Sequence, residues 1–187
     1  MAPVTKNFQN IDNMLRYALY SYLPQRYLKR ASFEQIDLDR RILDFKSGRG
    51  YAIRWAAREM AKALSLMDLS NTAIVCIPAS CRRTNDIRYK HFTEELCERV
   101  NAVNGFGHIV VSGHRQKVHV SHAHKVADGA NGDYHIDEDF FRGKDVLVID
   151  DITTTGKTAN AFIERMEAAG ANVRMAMFLA KTRNFKH

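Results

Sequence analysis

The sequence predicts an α/β fold, a parallel β-sheet flanked by helices. Two apolar runs, Ala73-Ile74-Val75-Cys76-Ile77 and Val146-Leu147-Val148-Ile149, are apolar on both faces, as strands covered by helices on each side must be. Stretches with apolar residues at helical spacing lie between the candidate strands. A length of 187 residues suits one domain with a full core. The expected division is a single domain over 1–187, with a small N-terminal hood and leading helix over 1–45 and a core over 46–187.

Each element follows from its pattern. Ile11, Met14, Leu15, Ala18, Leu19 and Tyr22 form a stripe that reads as a helix ending near Pro24. Ile53, Ala56, Ala57, Met60, Ala63, Leu64 and Met67 line one face of a helix over 51–67. A strand is expected over 73–78, and Phe92, Leu96, Val100 and Val103 mark a helix over about 87–103. Residues 107–112 read as a strand, while 113–143 are irregular and rich in His, Lys, Gly and Asp. The last elements are a strand over 145–150, a helix over 156–169 stopped by Gly170, and a strand over 173–179. Ligands of such sheets bind at the carboxyl ends of strands, which directs attention to the loops after Pro78, Ser112 and Asp150.

Composition narrows the function. A hydrophobic content of 45% with only three prolines does not suggest a disordered chain. The formal charge of +7 fits either nucleic acid or a poly-anionic small substrate. The odd set Cys76, Cys81 and Cys97 has no paired spacing, which argues against a disulfide framework. No Cys-x-x-Cys zinc signature occurs, and His119, His122 and His124 have no evident fourth ligand. Without a signal peptide or an apolar run of about 20 residues, the expectation is a soluble cytoplasmic protein with no membrane partner.

The segment Val146-Leu147-Val148-Ile149-Asp150-Asp151-Ile152-Thr153-Thr154-Thr155-Gly156-Lys157-Thr158 carries the chemistry. A buried strand runs into two carboxylates, and then into hydroxyls and backbone amides at a helix N-terminus. Such amides lack intrahelical partners and sit at the positive end of the macrodipole, so they attract anions. Gly156 lets the backbone approach a phosphate closely. Carboxylates for sugar hydroxyls beside amides for a phosphate suit a sugar phosphate. A P-loop fails on spacing, because Asp151 stands where its first glycine is required. A second loop, Ile77-Pro78-Ala79-Ser80-Cys81-Arg82-Arg83, offers small residues and two planar donors for phosphate oxygens.

The acidic-pair segment resembles the phosphoribosyl-diphosphate (PRPP) motif of type I phosphoribosyltransferases. Ile42 to Gly50, Ile77 to Arg83 and Asp150 to Gly156 together look like the ComF-like, amidophosphoribosyltransferase-related subgroup, over roughly residues 40–180. The four-cysteine zinc ribbon common there is missing, and Ile87-Arg88-Tyr89-Lys90-His91-Phe92 replaces the subgroup's Arg-Gly-Phe-Asn-Gln type segment. The resemblance implies a type I phosphoribosyltransferase fold and transfer of phosphoribosyl to a nitrogen acceptor (nucleobase or amine), with release of pyrophosphate. It implies that Asp150 and Asp151 are catalytic and hold the ribose hydroxyls, directly or through Mg²⁺ and water. Thr153, Thr154, Thr155, Gly156, Lys157 and Thr158 would take the 5′-phosphate, and Ala79, Ser80, Arg82 and Arg83 the pyrophosphate. His114, Arg115 and Lys117 would reach the diphosphate from a flexible loop, and Arg88 and Lys90 would either add charge at the helix start or face water. Purine-salvage members carry Asp where Thr154 stands, which argues against a hypoxanthine-guanine enzyme. A homodimer is also implied. The alternative is a non-catalytic PRPP-sensing or nucleic-acid-associated protein of the same fold. PRPP synthesis and phosphoribohydrolysis lack residues for an ATP or activated-water site.

Overall fold

The computed structural model describes residues 7–11, 14–112 and 134–183. In chain order the first elements are β1 (Asn7–Ile11), β2 (Met14–Tyr22), α1 (Phe33–Lys46), α2 (Gly50–Leu64) and β3 (Thr72–Cys76). A helical segment follows in three pieces: α3 (Arg82–Asn85), a π-helical turn (Asp86–Lys90) and α4 (His91–Val100). Then come β4 (Val103–Asn104), β5 (Ile109–Val111), β6 (Tyr134–Ile136), α5 (Glu138–Phe141), β7 (Asp145–Thr153), α6 (Lys157–Ala168) and β8 (Asn172–Thr182).

The main sheet has the order β1-β2-β8-β7-β3-β4. Five of its strands are parallel, and β1 adds an antiparallel edge. This is the expected α/β fold. Helices cover both faces. Ile42, Phe45, Ala56, Met60, Phe92 and Leu96 from α1, α2 and α4 pack on one face with Ile74, Leu147 and Ile149. Phe141, Phe162, Ile163 and Met166 from α5 and α6 pack on the other with Val75, Val146 and Val148. The alternation of one strand's residues between two apolar layers explains why β7 reads as a continuous apolar run.

The order in which strands are added to the sheet reverses between β3 and β7. From β3 the path runs outward through α4 to β4; from β7 it runs the other way through α6 to β8. The loops after β3 and β7 therefore open side by side at the carboxyl edge, the switch point where ligands bind in such sheets.

Three expectations are corrected. The stripe from Ile11 to Tyr22 is not a helix: Met14–Tyr22 is a strand, hydrogen-bonded between β1 and β8. It is buried from both sides, with Leu19 in one apolar layer and Met14 and Ala18 in the other, so its apolar spacing does not discriminate helix from strand. Tyr17, Tyr20 and Tyr22 favour the strand. The strand expected over 107–112 shrinks to Ile109–Val111 and leaves the main sheet, pairing antiparallel with β6 in a separate ribbon. The helix expected from about residue 87 instead begins at Arg82 and carries the π turn inside it.

Candidate functional site

β7 extends three residues beyond its expected end, so Asp150 and Asp151 lie within a paired strand, Asp150 in register with Phe178 and Ile152 with Ala180. The two acids differ in environment. Asp151 is only 4% exposed, further inside than a rim position implies. Its Oδ2 lies 2.9 Å from Arg88 Nη1 and 3.7 Å from Lys46 Nζ, and its Oδ1 accepts from the Ile152 amide at 2.5 Å. Asp150 is partly exposed; its Oδ1 accepts from the Tyr89 hydroxyl at 3.0 Å and from the Asp151 amide at 2.8 Å. Burial and then the neighbouring Asp151 charge push the Asp150 carboxyl up to about 7, against the opposing pull of the Asp151 amide, Tyr89 and Arg88.

The π turn makes this arrangement. Extra residues in one helical turn re-aim side chains, and π turns recur at functional sites for that reason. Here Arg88 and Tyr89 both reach the acids, Tyr89 being fully buried. Burial drives the Tyr89 hydroxyl well above its ordinary range, so it remains a donor to Asp150. The connection between α1 and α2 locks the turn in place. Gly48 has φ +75° and sits so close to the turn that a Cβ there would lie 2.2 Å from Ile87 Cγ2. That closeness lets Arg88 Nε donate to the Lys46 carbonyl at 2.8 Å while Nη1 holds Asp151.

The turn after β7 leads directly into α6. Gly156 takes φ +78°, which a side chain disfavours, and α6 begins at Lys157. Thr154, Thr155, Lys157 and Thr158 are exposed, while Thr153 and Gly156 are partly buried. Thr154 Oγ1 lies 3.0 Å from Thr182 Oγ1, which ties the turn to the end of β8, and the Lys157 amide meets Thr155 Oγ1 only at 3.5 Å. The turn is therefore open, with its first-turn amides directed away from the helix ladder.

The loop after β3 is less uniform. Ser80, Arg82 and Arg83 are exposed, and Arg82 Nε reaches Asp86 Oδ2 at 3.8 Å. The Ala79 amide donates to Asn85 Oδ1 at 3.0 Å, so it shapes the loop rather than facing solvent. His114, Arg115 and Lys117 lie outside the described residues, as do His119, His122 and His124. Lys90 is exposed and turned to solvent, unlike Arg88.

Four neighbours of the site were not legible as such. Arg88 carries a basic residue's ambiguity; Lys46 lies in the Ile42–Gly50 segment and Tyr89 in the Ile87–Phe92 segment, neither with a role of its own. The fourth is Arg16 on β2. Its Nη1 donates to Asn160 Oδ1 on α6 at 2.5 Å and lies 3.3 Å from where a Gly156 Cβ would stand. Its Nε is buried with no partner among the described residues, a state that polar atoms rarely keep without a reason. Since the stripe containing Arg16 reads as a helix, nothing in the sequence places it beside the Gly156 turn.

Among the described residues, no group of three or more His, Cys, Asp or Glu side chains is arranged to hold a metal, and no helix is long and apolar enough to cross a membrane. A search of curated proteins finds no match to the chain. The paired acids, the open turn at α6 and the loop after β3 all fall within residues 50–186, and that span matches the phosphoribosyl transferase domain, so the chain belongs to the phosphoribosyl transferase family.

Proposed function

We propose that this protein binds PRPP with Mg²⁺ and transfers its phosphoribosyl group to a nitrogen acceptor, releasing pyrophosphate. The observation that carries the reading is the juxtaposition, at one switch point, of the Asp150–Asp151 pair with the open Gly156 turn at the start of α6. Asp150 and Asp151 would hold the ribose hydroxyls. The amides and hydroxyls of Thr153 to Thr158 would take the 5′-phosphate, with Arg16 adding a guanidinium to that end. Ser80, Arg82 and Arg83 would face the diphosphate, with the Ala79 amide serving the loop's shape.

The carboxylate oxygens of two adjacent aspartates fit a hard divalent cation, and too few protein ligands surround them to form a cage, so substrate oxygens would complete the set. Asp150 and Asp151 would hold Mg²⁺, directly or through water, and the ion would neutralise charge on the diphosphate. The remaining work belongs to side chains. The pair Asp150 and Asp151 puts negative charge beside a ribose that becomes oxocarbenium-like as its bond to the diphosphate breaks. Arg82 and Arg83 stabilise the departing charge, and the turn at Gly156 fixes the sugar so the acceptor nitrogen meets C1 in line. No protein nucleophile is needed.

Pyrophosphate release from Mg-PRPP, measured over a panel of purines, pyrimidines, orotate, xanthine and ammonia, tests the reading. Release with one acceptor, lost in Asp150→Asn, is the expected result. PRPP binding without release for any acceptor would instead favour the sensing alternative, a reading supported by the engagement of Asp151 with Arg88 and Lys46. Absence of PRPP binding overturns both.

A further inference from the structure

A second charged site lies on the outer face of α1 and α2, away from the two acids. Asp37, Arg40 and Arg41 share one face of α1. Tyr51, Arg54, Trp55 and Arg58 share one face of α2, spaced three and four residues apart. Together they line an open hollow of about 460 Å³, a volume within the range of small-molecule sites. All four arginines are exposed. Arg41 is paired with Asp37 at 2.8 Å, whereas Arg40, Arg54 and Arg58 make no ion pair among the described residues. The lining therefore carries four guanidinium groups against one carboxylate, a net of +3. Arg54 and Arg58 stand one turn apart on the same helix, where like charges cost stability unless a counter-charge arrives.

The walls are aromatic and held in place. Tyr51 is 49% exposed, and its hydroxyl donates to Asp44. Trp55 stacks on Tyr20 with ring centroids 5.7 Å apart and planes 19° apart, and the Tyr20 hydroxyl donates to Glu59 at 2.8 Å. Guanidinium groups bind phosphate oxygens, and fixed aromatic rings offer faces or edges to a planar base.

We propose that this hollow binds a nucleotide phosphate: a planar base against Tyr51 and Trp55, its phosphates among Arg40, Arg54 and Arg58. A free nucleotide and the end of a single strand present the same chemistry. The inference does not depend on the phosphoribosyl transfer reading, since no residue is shared with that site. A second copy of the chain is the rival occupant, because the adjacent hollow holds Glu94, Glu95 and Glu98 and shares Arg54. Two of those acids are already engaged, Glu95 by Arg99 at 2.6 Å and Glu94 by His91 at 2.9 Å, which leaves little charge to neutralise the arginines.

Trp55 is the chain's single tryptophan, so its fluorescence reports on this hollow directly. The full-length protein is titrated with ADP and, separately, with a 5′-phosphorylated single-stranded oligonucleotide, at low and high salt. Saturable quenching by either probe, weakened by salt, is expected. Arg54→Glu/Arg58→Glu should weaken it about tenfold or more, in keeping with the loss of two charge-assisted contacts. Arg142→Glu/Arg174→Glu changes net charge equally at two exposed positions outside both sites and should leave binding within about twofold, at the level of screened surface charges. Response to ADP identifies a free nucleotide as source, and response to the oligonucleotide alone identifies a strand end. Four results overturn the proposal: no quenching by either probe, equal losses in both double variants, loss confined to the Arg142/Arg174 variant, or a change of sedimenting mass in the Arg54/Arg58 variant with no probe bound by the wild type.

Discussion

Replacing Arg88 by Met should strand the Asp151 carboxylate in a nearly closed site. The side chains of Arg88 and Asp151 are 13% and 5% exposed, and they meet at 2.9 Å. Breaking a buried ion pair by removing one partner costs about 3–5 kcal/mol, because the surviving charge is left desolvated. Two features place this case at the lower end. Lys46 remains 3.7 Å from the same oxygen, and the Ile152 amide still serves the other. The expected loss for Arg88→Met is about 3 kcal/mol; with a urea m-value of about 2 kcal/mol/M, this moves the unfolding midpoint down by about 1.5 M. Asp151→Asn alone should also destabilise, since it leaves the guanidinium facing a neutral amide. Combining the two substitutions should recover most of the loss, because removing both charges of a buried pair is often nearly neutral. The measurement is a double-mutant cycle from urea unfolding followed by circular dichroism. The coupling expected is about 2 kcal/mol or more. A single-variant loss below about 1 kcal/mol, or additive losses in the double variant, would show that Arg88 does not hold Asp151 in the folded protein.

Three further outcomes follow from the same geometry. Arg16→Gln should weaken binding of ribose 5-phosphate by about tenfold, the value of one charge-assisted contact of about 1.4 kcal/mol, with little change in Tm; calorimetry showing unchanged affinity would reduce Arg16 to a tie between β2 and α6. Gly48→Ala should cost about 2 kcal/mol, from the positive φ and the clash with Ile87, and should lower the protection of the 86–90 turn in hydrogen exchange; normal protection there argues against its clamping role. Asp150 is raised in the folded state, so its contribution to stability is complete below the unfolded carboxyl range and is lost as pH rises toward neutrality. The ligand-free Asp150→Asn variant should therefore gain on the wild type in Tm between about pH 5 and about pH 8. A constant difference across that window refutes the raised carboxyl.

The sheet and its site were legible to different extents for identifiable reasons. β7, α6 and α2 carry unbroken apolar runs or strong helical stripes, and they fall within a few residues of their expected bounds. The Gly156 turn was legible because its features are local: the glycine, the hydroxyls and the helix start are consecutive in the chain. β2 shows no clean period of two, because it buries Leu19 in one apolar layer and Met14 and Ala18 in the other. The short β5 was assigned correctly as a strand, but its pairing partner could not be read from its own residues.

Sequence alone determined the strand-acid-turn-helix order of residues 146–158, and with it the expectation of a sugar phosphate at a parallel-sheet edge. Tertiary structure alone decided what surrounds the acids. Arg88 and Tyr89 reach Asp150 and Asp151 across about sixty residues of chain, and Arg16 reaches α6 across more than twice that. Lys46 joins them only because Gly48 lets α1 and the π turn approach closely. Contacts so distant in sequence arise from packing of the sheet and its helices, and the residues making them leave no local pattern to read.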